Sequence, residues 1–277
     1  MAYSAEISRA NPTCFIFLID QSGSMADVIG TGEGKKADGV ADAINRMLQN
    51  LVLKCARDEG VRDYLHVAVI GYGAQVGPAF SGALAGRQLV PISEVGNSPA
   101  RVEQRNKKIP DGAGGLVDQP IRFPIWFDSV ANGGTPMSQA LGQAKAMIET
   151  WLSQHTNSFP PIVINITDGE ATDGDPTSAA DEVRKLKSND GEVLLFNIHL
   201  SSQKLPPVVF PSTDAGLPDQ FAQQLFRISS TLPPQMARDA QTEGLNTTEG
   251  SRGFVFNAGM VEVIKALNIG TNPSAMR

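Results

Sequence analysis

Cys14-Phe15-Ile16-Phe17-Leu18-Ile19-Asp20-Gln21-Ser22-Gly23-Ser24 is an apolar run that ends in a carboxylate and then offers two hydroxyls. A short run with no polar alternation reads as a strand buried on both faces, the kind found in parallel sheets. Leu65–Gly71, Ile162–Asp168 and Val193–Leu200 read the same way, and Gly253–Asn257 is a shorter fifth. Between them apolar residues recur every three or four positions, first at Val40, Ile44, Met47, Leu51 and Cys55, then at Met137, Leu141, Ala144, Ile148 and Trp151. Thr135-Pro136 and Asp175-Pro176 each set a capping side chain before a first-turn proline. Further helices are expected around Val183–Lys187 and over Met260–Leu267. Strands alternating with helices predict an α/β fold: a Rossmann-like, doubly wound, mostly parallel sheet with helices on both faces.

The 277 residues suffice for one large domain or two small ones, and a single domain over residues 13–270 is the simpler reading. Residues 1–12 and 271–277 are expected to be flexible ends. With 41% hydrophobic and 19% charged residues the composition is that of a folded globular chain. A net charge of −6 gives no electrostatic case for nucleic acid or an anionic membrane. Cys14 and Cys55 sit in apolar runs and read as buried thiols of a reducing compartment. The start of the chain lacks a signal-peptide pattern and no apolar run is long enough to span a bilayer, so the expectation is a cytoplasmic protein.

Residues 87–130 break the strand–helix alternation with five prolines and the Gly112–Gly115 cluster. They read as an insertion, with a hairpin made by Arg101–Ile109 and Leu116–Phe123. Trp126 and Phe127 would anchor it to the core. Arg101, Arg105, Lys107 and Lys108 form a basic cluster there, read as a solvated hairpin or as a docking surface for an acidic partner. Lys204–Leu217 reads as a second long, proline-rich connection.

In an open parallel sheet, ligands sit beyond the carboxyl ends of strands where the strand order reverses. If the Cys14 and Ile162 strands are neighbours, Asp20 and Asp168 face one crevice and Thr135, in the loop Gly133-Gly134-Thr135-Pro136, closes it. Asp20, Ser22, Ser24, Thr135 and Asp168 would then offer hard oxygens suited to magnesium rather than zinc, with Gly23 allowing the tight turn. In order and type these residues resemble the metal-ion-dependent adhesion site of von Willebrand factor A domains. That resemblance implies Mg2+ (or Mn2+) touched directly by Ser22, Ser24 and Thr135, and through water by Asp20 and Asp168. The open coordination position would take an Asp or Glu of a partner protein.

With no signal peptide, the chain looks most like the intracellular bacterial A domains of tellurite-resistance, stress and defence gene clusters. This implies a metal-dependent protein-binding module working beside an ATPase, kinase or phosphatase, and not an enzyme. The competing readings are a magnesium-dependent phosphohydrolase using Asp20, and a structural A domain that does not use its metal. Other signals are weaker. Gly30–Lys35 fails the phosphate-loop spacing, with Lys36 where Ser or Thr should follow. Glu170, Asp173 and Asp175 read as a solvated acidic loop with Asp175 as a cap, and His66, His155 and His199 as structural.

Overall fold

The computed structural model describes residues 3–5, 7–29, 34–110, 115–257, 262 and 265. The helix expected over Met260–Leu267 lies almost wholly outside them. The central sheet is built from β1 (Thr13–Asp20), β2 (Leu65–Tyr72), β3 (Val76–Pro78) and β4 (Val90–Pro91), with β7 (Ile162–Thr167), β8 (Leu194–His199), β9 (Val208–Val209) and β10 (Phe254–Phe256) after the hairpin. Its order is β9-β10-β8-β7-β1-β2-β3, with β4 also paired to β2. The five long central neighbours are parallel, and β3, β4 and β9 pair antiparallel at the edges. The fold is therefore α/β with a mostly parallel central sheet, as the apolar runs predict.

Each face of β1 buries against a different core. Phe15, Phe17 and Ile19 join Val40, Ile44, Met47 and Leu51 of α1 (Lys36–Cys55). Cys14, Ile16 and Leu18 join Leu141, Ala144 and Ile148 of α3 (Met137–Leu152), together with residues of α4 (Thr177–Lys185) and α5 (Gln220–Ile228). Burying each such side chain contributes about 1.5–3 kcal/mol, so β1 cannot slip by one residue without exchanging both cores. Cys14 and Cys55 are buried thiols, and burial pushes Cys55 up to about 12. Among the described residues no helix is long and apolar enough to cross a membrane.

Three elements were not legible as helices in the sequence: α2 (Ile92–Asn97), α5, and α6 (Pro234–Thr242). Each spans nine residues or fewer. α5 did carry a start signal, because the Asp219 carboxylate accepts from the Ala222 N–H at 2.8 Å. The Lys204–Leu217 connection is not wholly irregular, since Val208–Val209 forms the edge strand β9.

The hairpin is present. β5 (Arg101–Pro110) and β6 (Leu116–Ile125) pair antiparallel from Arg101↔Ile125 to Pro110↔Leu116 as a separate two-stranded sheet. Trp126 and Phe127 at its exit are buried, and Asn45 of α1 holds them. Its Oδ1 accepts from both backbone N–H groups, at 2.8 and 3.0 Å, and its Nδ2 donates to the Phe127 carbonyl.

A buried polar chain crosses the sheet toward α5. Tyr72 donates to Asn165 Oδ1 at 2.6 Å, Asn165 Nδ2 donates to Asn197 Oδ1 at 3.0 Å, and Asn197 Nδ2 donates to Ser229 Oγ at 2.9 Å. Removing the middle member strands a buried hydroxyl and a buried amide oxygen. Asn165→Ala is therefore expected to lower the unfolding free energy by about 2–4 kcal/mol. Urea denaturation checks this, and a loss under 1 kcal/mol would show the neighbours re-pair.

Candidate functional site

The order of strands reverses at β1, since the chain goes from β1 to β2 on one side and only later to β7 on the other. The crevice beyond the carboxyl ends of β1 and β7 is the place where such sheets take ligands. Asp20 ends β1, and Asp168 follows β7 directly. Four of the five expected residues meet there in one hydrogen-bonded cluster. Asp20 Oδ1 accepts from the Ser22 N–H at 2.8 Å, the Ser22 and Ser24 hydroxyls lie 3.0 Å apart, and Ser24 donates to Asp168 Oδ1 at 3.0 Å. Asp20 and Ser22 are buried, whereas Ser24 is exposed, so the cluster opens to solvent at Ser24.

The loop that carries Thr135 is brought alongside through the backbone of Asn132 and Gly133. Gly23 N–H donates to the Gly133 carbonyl at 3.0 Å, and Asn132 N–H donates to the Gln21 carbonyl at 2.6 Å. The close approach depends on Gly133 and Gly73. A Cβ at Gly133, whose φ is +90°, would lie 2.3 Å from the Ala74 nitrogen, and one at Gly73 would lie 2.6 Å from the Asn132 oxygen. The expectation placed this demand on Gly23, where a Cβ would meet nothing nearer than 3.7 Å; it belongs to the facing loop instead. Thr135 does not cap α3 either. The Asp173 carboxylate does so, accepting from Ser138 and Gln139 N–H at 3.2 and 2.9 Å, while Thr172 Oγ1 accepts from the Thr135 N–H. Asp175 accepts from the Thr177 N–H at 2.8 Å, as a start-of-helix residue should.

Two residues of the cluster escaped the sequence reading. Thr167, the last residue of β7, donates to Asp20 Oδ2 at 2.7 Å. Lys36, in the first turn of α1, sets its ammonium 3.0 Å from Asp168 Oδ2, with the two side chains 4% and 7% exposed. Lys36 was visible only as the residue that spoils a phosphate loop, and spacing gave no hint that α1 returns to β7. Beside the cluster, His199 stacks on Phe256 at 5.1 Å between centroids, and burial pushes it down to about 4.

Burial pushes Asp20 up to about 6, against the hydrogen bonds from Ser22 and Thr167 that favour its charge. A carboxyl whose folded value is raised stabilises the fold fully below its unfolded value and loses that contribution as pH rises through about 6. The displacement corresponds to about 3 kcal/mol.

No protein-family model matches the chain, and no curated protein matches it. Solved structures do. The pilus adhesin SpaC of Lactobacillus rhamnosus GG is 15% identical with a TM-score of 0.47, over 97% of this chain and 32% of that one. The PilB minor pilin of Streptococcus sanguinis is 11% identical with a TM-score of 0.46, over 93% and 60%. The vWF domain of the type V pili tip protein Mfa5 of Porphyromonas gingivalis is 17% identical with a TM-score of 0.29, over 58% and 39%. The chain thus spans less than two thirds of each of these chains.

These findings correct several expectations. The similar structures are pilus adhesins and a minor pilin, so the assignment to intracellular A-domain proteins of tellurite-resistance, stress or defence clusters is not upheld. The cytoplasmic location falls with it, and so does an intracellular metal-dependent interaction module as the function. The complete adhesion-type metal site is not shown as such: among the described residues no three His, Cys, Asp or Glu side chains gather to hold a metal. The cluster contains two carboxylates, the other expected members being hydroxyls; Lys36 pairs with Asp168, and Thr167 and Ser22 donate to Asp20. The proteins found are described as pilus adhesins and a minor pilin.

Asp20→Asn is expected to stabilise the chain by about 2–3 kcal/mol at pH 7.5 in EDTA and to change little at about pH 3.5, below the unfolded value of the carboxyl. Paired melts at the two pH values measure this, and an equal effect at both would show that Asp20 carries an ordinary carboxylate.

Proposed function

We propose that the chain is an adhesion-type binding domain whose ligand seats in the crevice beyond β1 and β7. The observation that carries this reading is the oxygen cluster itself: Asp20, Ser22, Ser24 and Asp168 share one network at the switch point of the sheet, opening outward at the exposed Ser24. The architecture behind it is read as a Rossmann-like, doubly wound sheet. SpaC is a pilus adhesin, and adhesion comes to this chain as part of the proposal alone.

The same residues, with Thr135, are proposed to hold Mg2+ or Mn2+. The donors are oxygens throughout, which such ions prefer. Burial pushes the Asp20 carboxyl up to about 6 despite its hydrogen bonds from Ser22 and Thr167, and a nearby cation would favour its charged form. Bound there, the ion would supply a Lewis-acidic contact for a carboxylate on a protein ligand. Asp20 would be oriented by Ser22 and Thr167, and Asp168 by Ser24 and Lys36.

Calorimetric titration of Mg2+ into the EDTA-treated chain is expected to give a one-site isotherm, weakened at least tenfold by Asp20→Ala and by Ser24→Ala. On a panel of immobilised extracellular proteins, the wild type should be retained in magnesium and released by EDTA. A flat isotherm sinks the cation, and retention that Asp20→Ala leaves untouched sinks the crevice as the binding surface.

A further inference from the structure

A two-stranded hairpin on its own is marginal in water, because neither strand's outer hydrogen-bonding edge is used. Here β5 and β6 run ten residues each, and among the described residues the contacts that hold the hairpin to the body lie in its basal half. There Phe123 and Ile125 are buried, and Arg105 lies 4.1 Å over the Phe123 ring while its guanidinium meets Asp42 of α1 at 2.8 Å. Further out, residues 115–120 are all exposed, Leu116 to 65% and Val117 to 47%. Ten-residue strands exceed what this anchoring requires.

The two outer edges differ. Pro120 and Pro124 stand opposite Asn106 and Val102 in the register. Proline has no N–H to give, so within a ladder it occupies positions whose nitrogen points away from the partner strand. Along β6 the outward positions therefore lack two donors, and an added strand would leave its own acceptors unmet. Along β5 the matching outward residues are Val102, Gln104, Asn106, Lys108 and, at the last position, Pro110; the first four, in a row, can donate and accept. No further strand pairs with β5 among the described residues. One edge is closed and the other is open.

Charge selects what the open edge accepts. The sequence of β5 carries Arg101, Arg105, Lys107 and Lys108 against Glu103 alone, in a chain of net charge −6; Arg101 and Arg105 already pair with Glu103, Asp128 and Asp42, so the excess positive charge lies at Lys107 and Lys108. Edge-to-edge pairing of two copies would set these basic strands against each other, which like charges oppose. We propose that the outer edge of β5 takes an extended acidic segment of another protein as a third strand. Backbone hydrogen bonds would give the affinity, and the basic side chains would choose the sequence. This surface is separate from the crevice and works without a cation.

The test uses the full chain in EDTA and a ten-residue peptide of alternating Glu and Val with blocked ends, against the same peptide with Lys in place of Glu. Fluorescence anisotropy is expected to show binding of the Glu peptide, weakened at least tenfold between 50 and about 500 mM salt, and none of the Lys peptide. Gln104→Pro, which removes an outward donor from β5, should weaken binding at least tenfold. Arg122→Pro, at an outward position of β6, should leave it within about twofold; circular dichroism confirms that both variants fold. No binding of the Glu peptide, or equal loss from both prolines, overturns the proposal.

Discussion

The parallel pairing of β1 with β7, from Phe15↔Ile162 to Ile19↔Ile166, is the constraint on which the rest of this molecule depends. Both strands are buried on both faces, so their register is fixed twice, once by each core. That register sets Asp20 beside Thr167 and leaves Asp168 one step beyond the sheet. A slip of one residue would send the Asp20 side chain to the other side of the sheet and would dissolve the cluster before any question of ligand arose. The crevice is thus a by-product of core packing, at the one place where the chain changes direction across the sheet.

Legibility in the sequence follows the same division. The buried strands were readable because a parallel strand shows as an unbroken apolar run, and α1 and α3 because their length makes helical spacing visible. The hairpin was readable from its prolines and glycines. Asp20, Ser22, Ser24 and Asp168 could be grouped because each sits at or just past a strand end. Lys36 could not, because it belongs to a helix whose start returns to the rim through contacts of the fold and not through any local pattern. Asp173 was hidden for the same reason: it caps α3 across a gap of 34 residues, and the sequence offered Thr135 as the nearer candidate. The location and family inferred from the chain's outline were the parts that physical reading could not support, since neither is encoded in packing.

Two surfaces emerge with different physics. The crevice is rigid and pre-formed, walled by backbone contacts that tolerate no Cβ at Gly133 or Gly73. The hairpin is held at one end and carries unused hydrogen-bonding capacity along one side. Rigid concave sites and open strand edges recognise different things, the first a group that fits and the second a backbone that extends.

The Lys36–Asp168 pair ties these considerations to the chemistry of the crevice. Burying two charges costs desolvation that their attraction does not always recover, so such a pair is weak evidence for stability. Its effect here is on what else can enter. Asp168 Oδ2 faces the ammonium and Oδ1 faces the Ser24 hydroxyl, so both of its oxygens are engaged. Asp20 is engaged by Ser22 and Thr167. A divalent cation entering the cluster under the proposal would have to draw Asp168 away from Lys36 or share it, and two like charges would then sit at one carboxylate. Its affinity would therefore be set less by the number of oxygens than by how far Lys36, fixed in the first turn of α1, can withdraw.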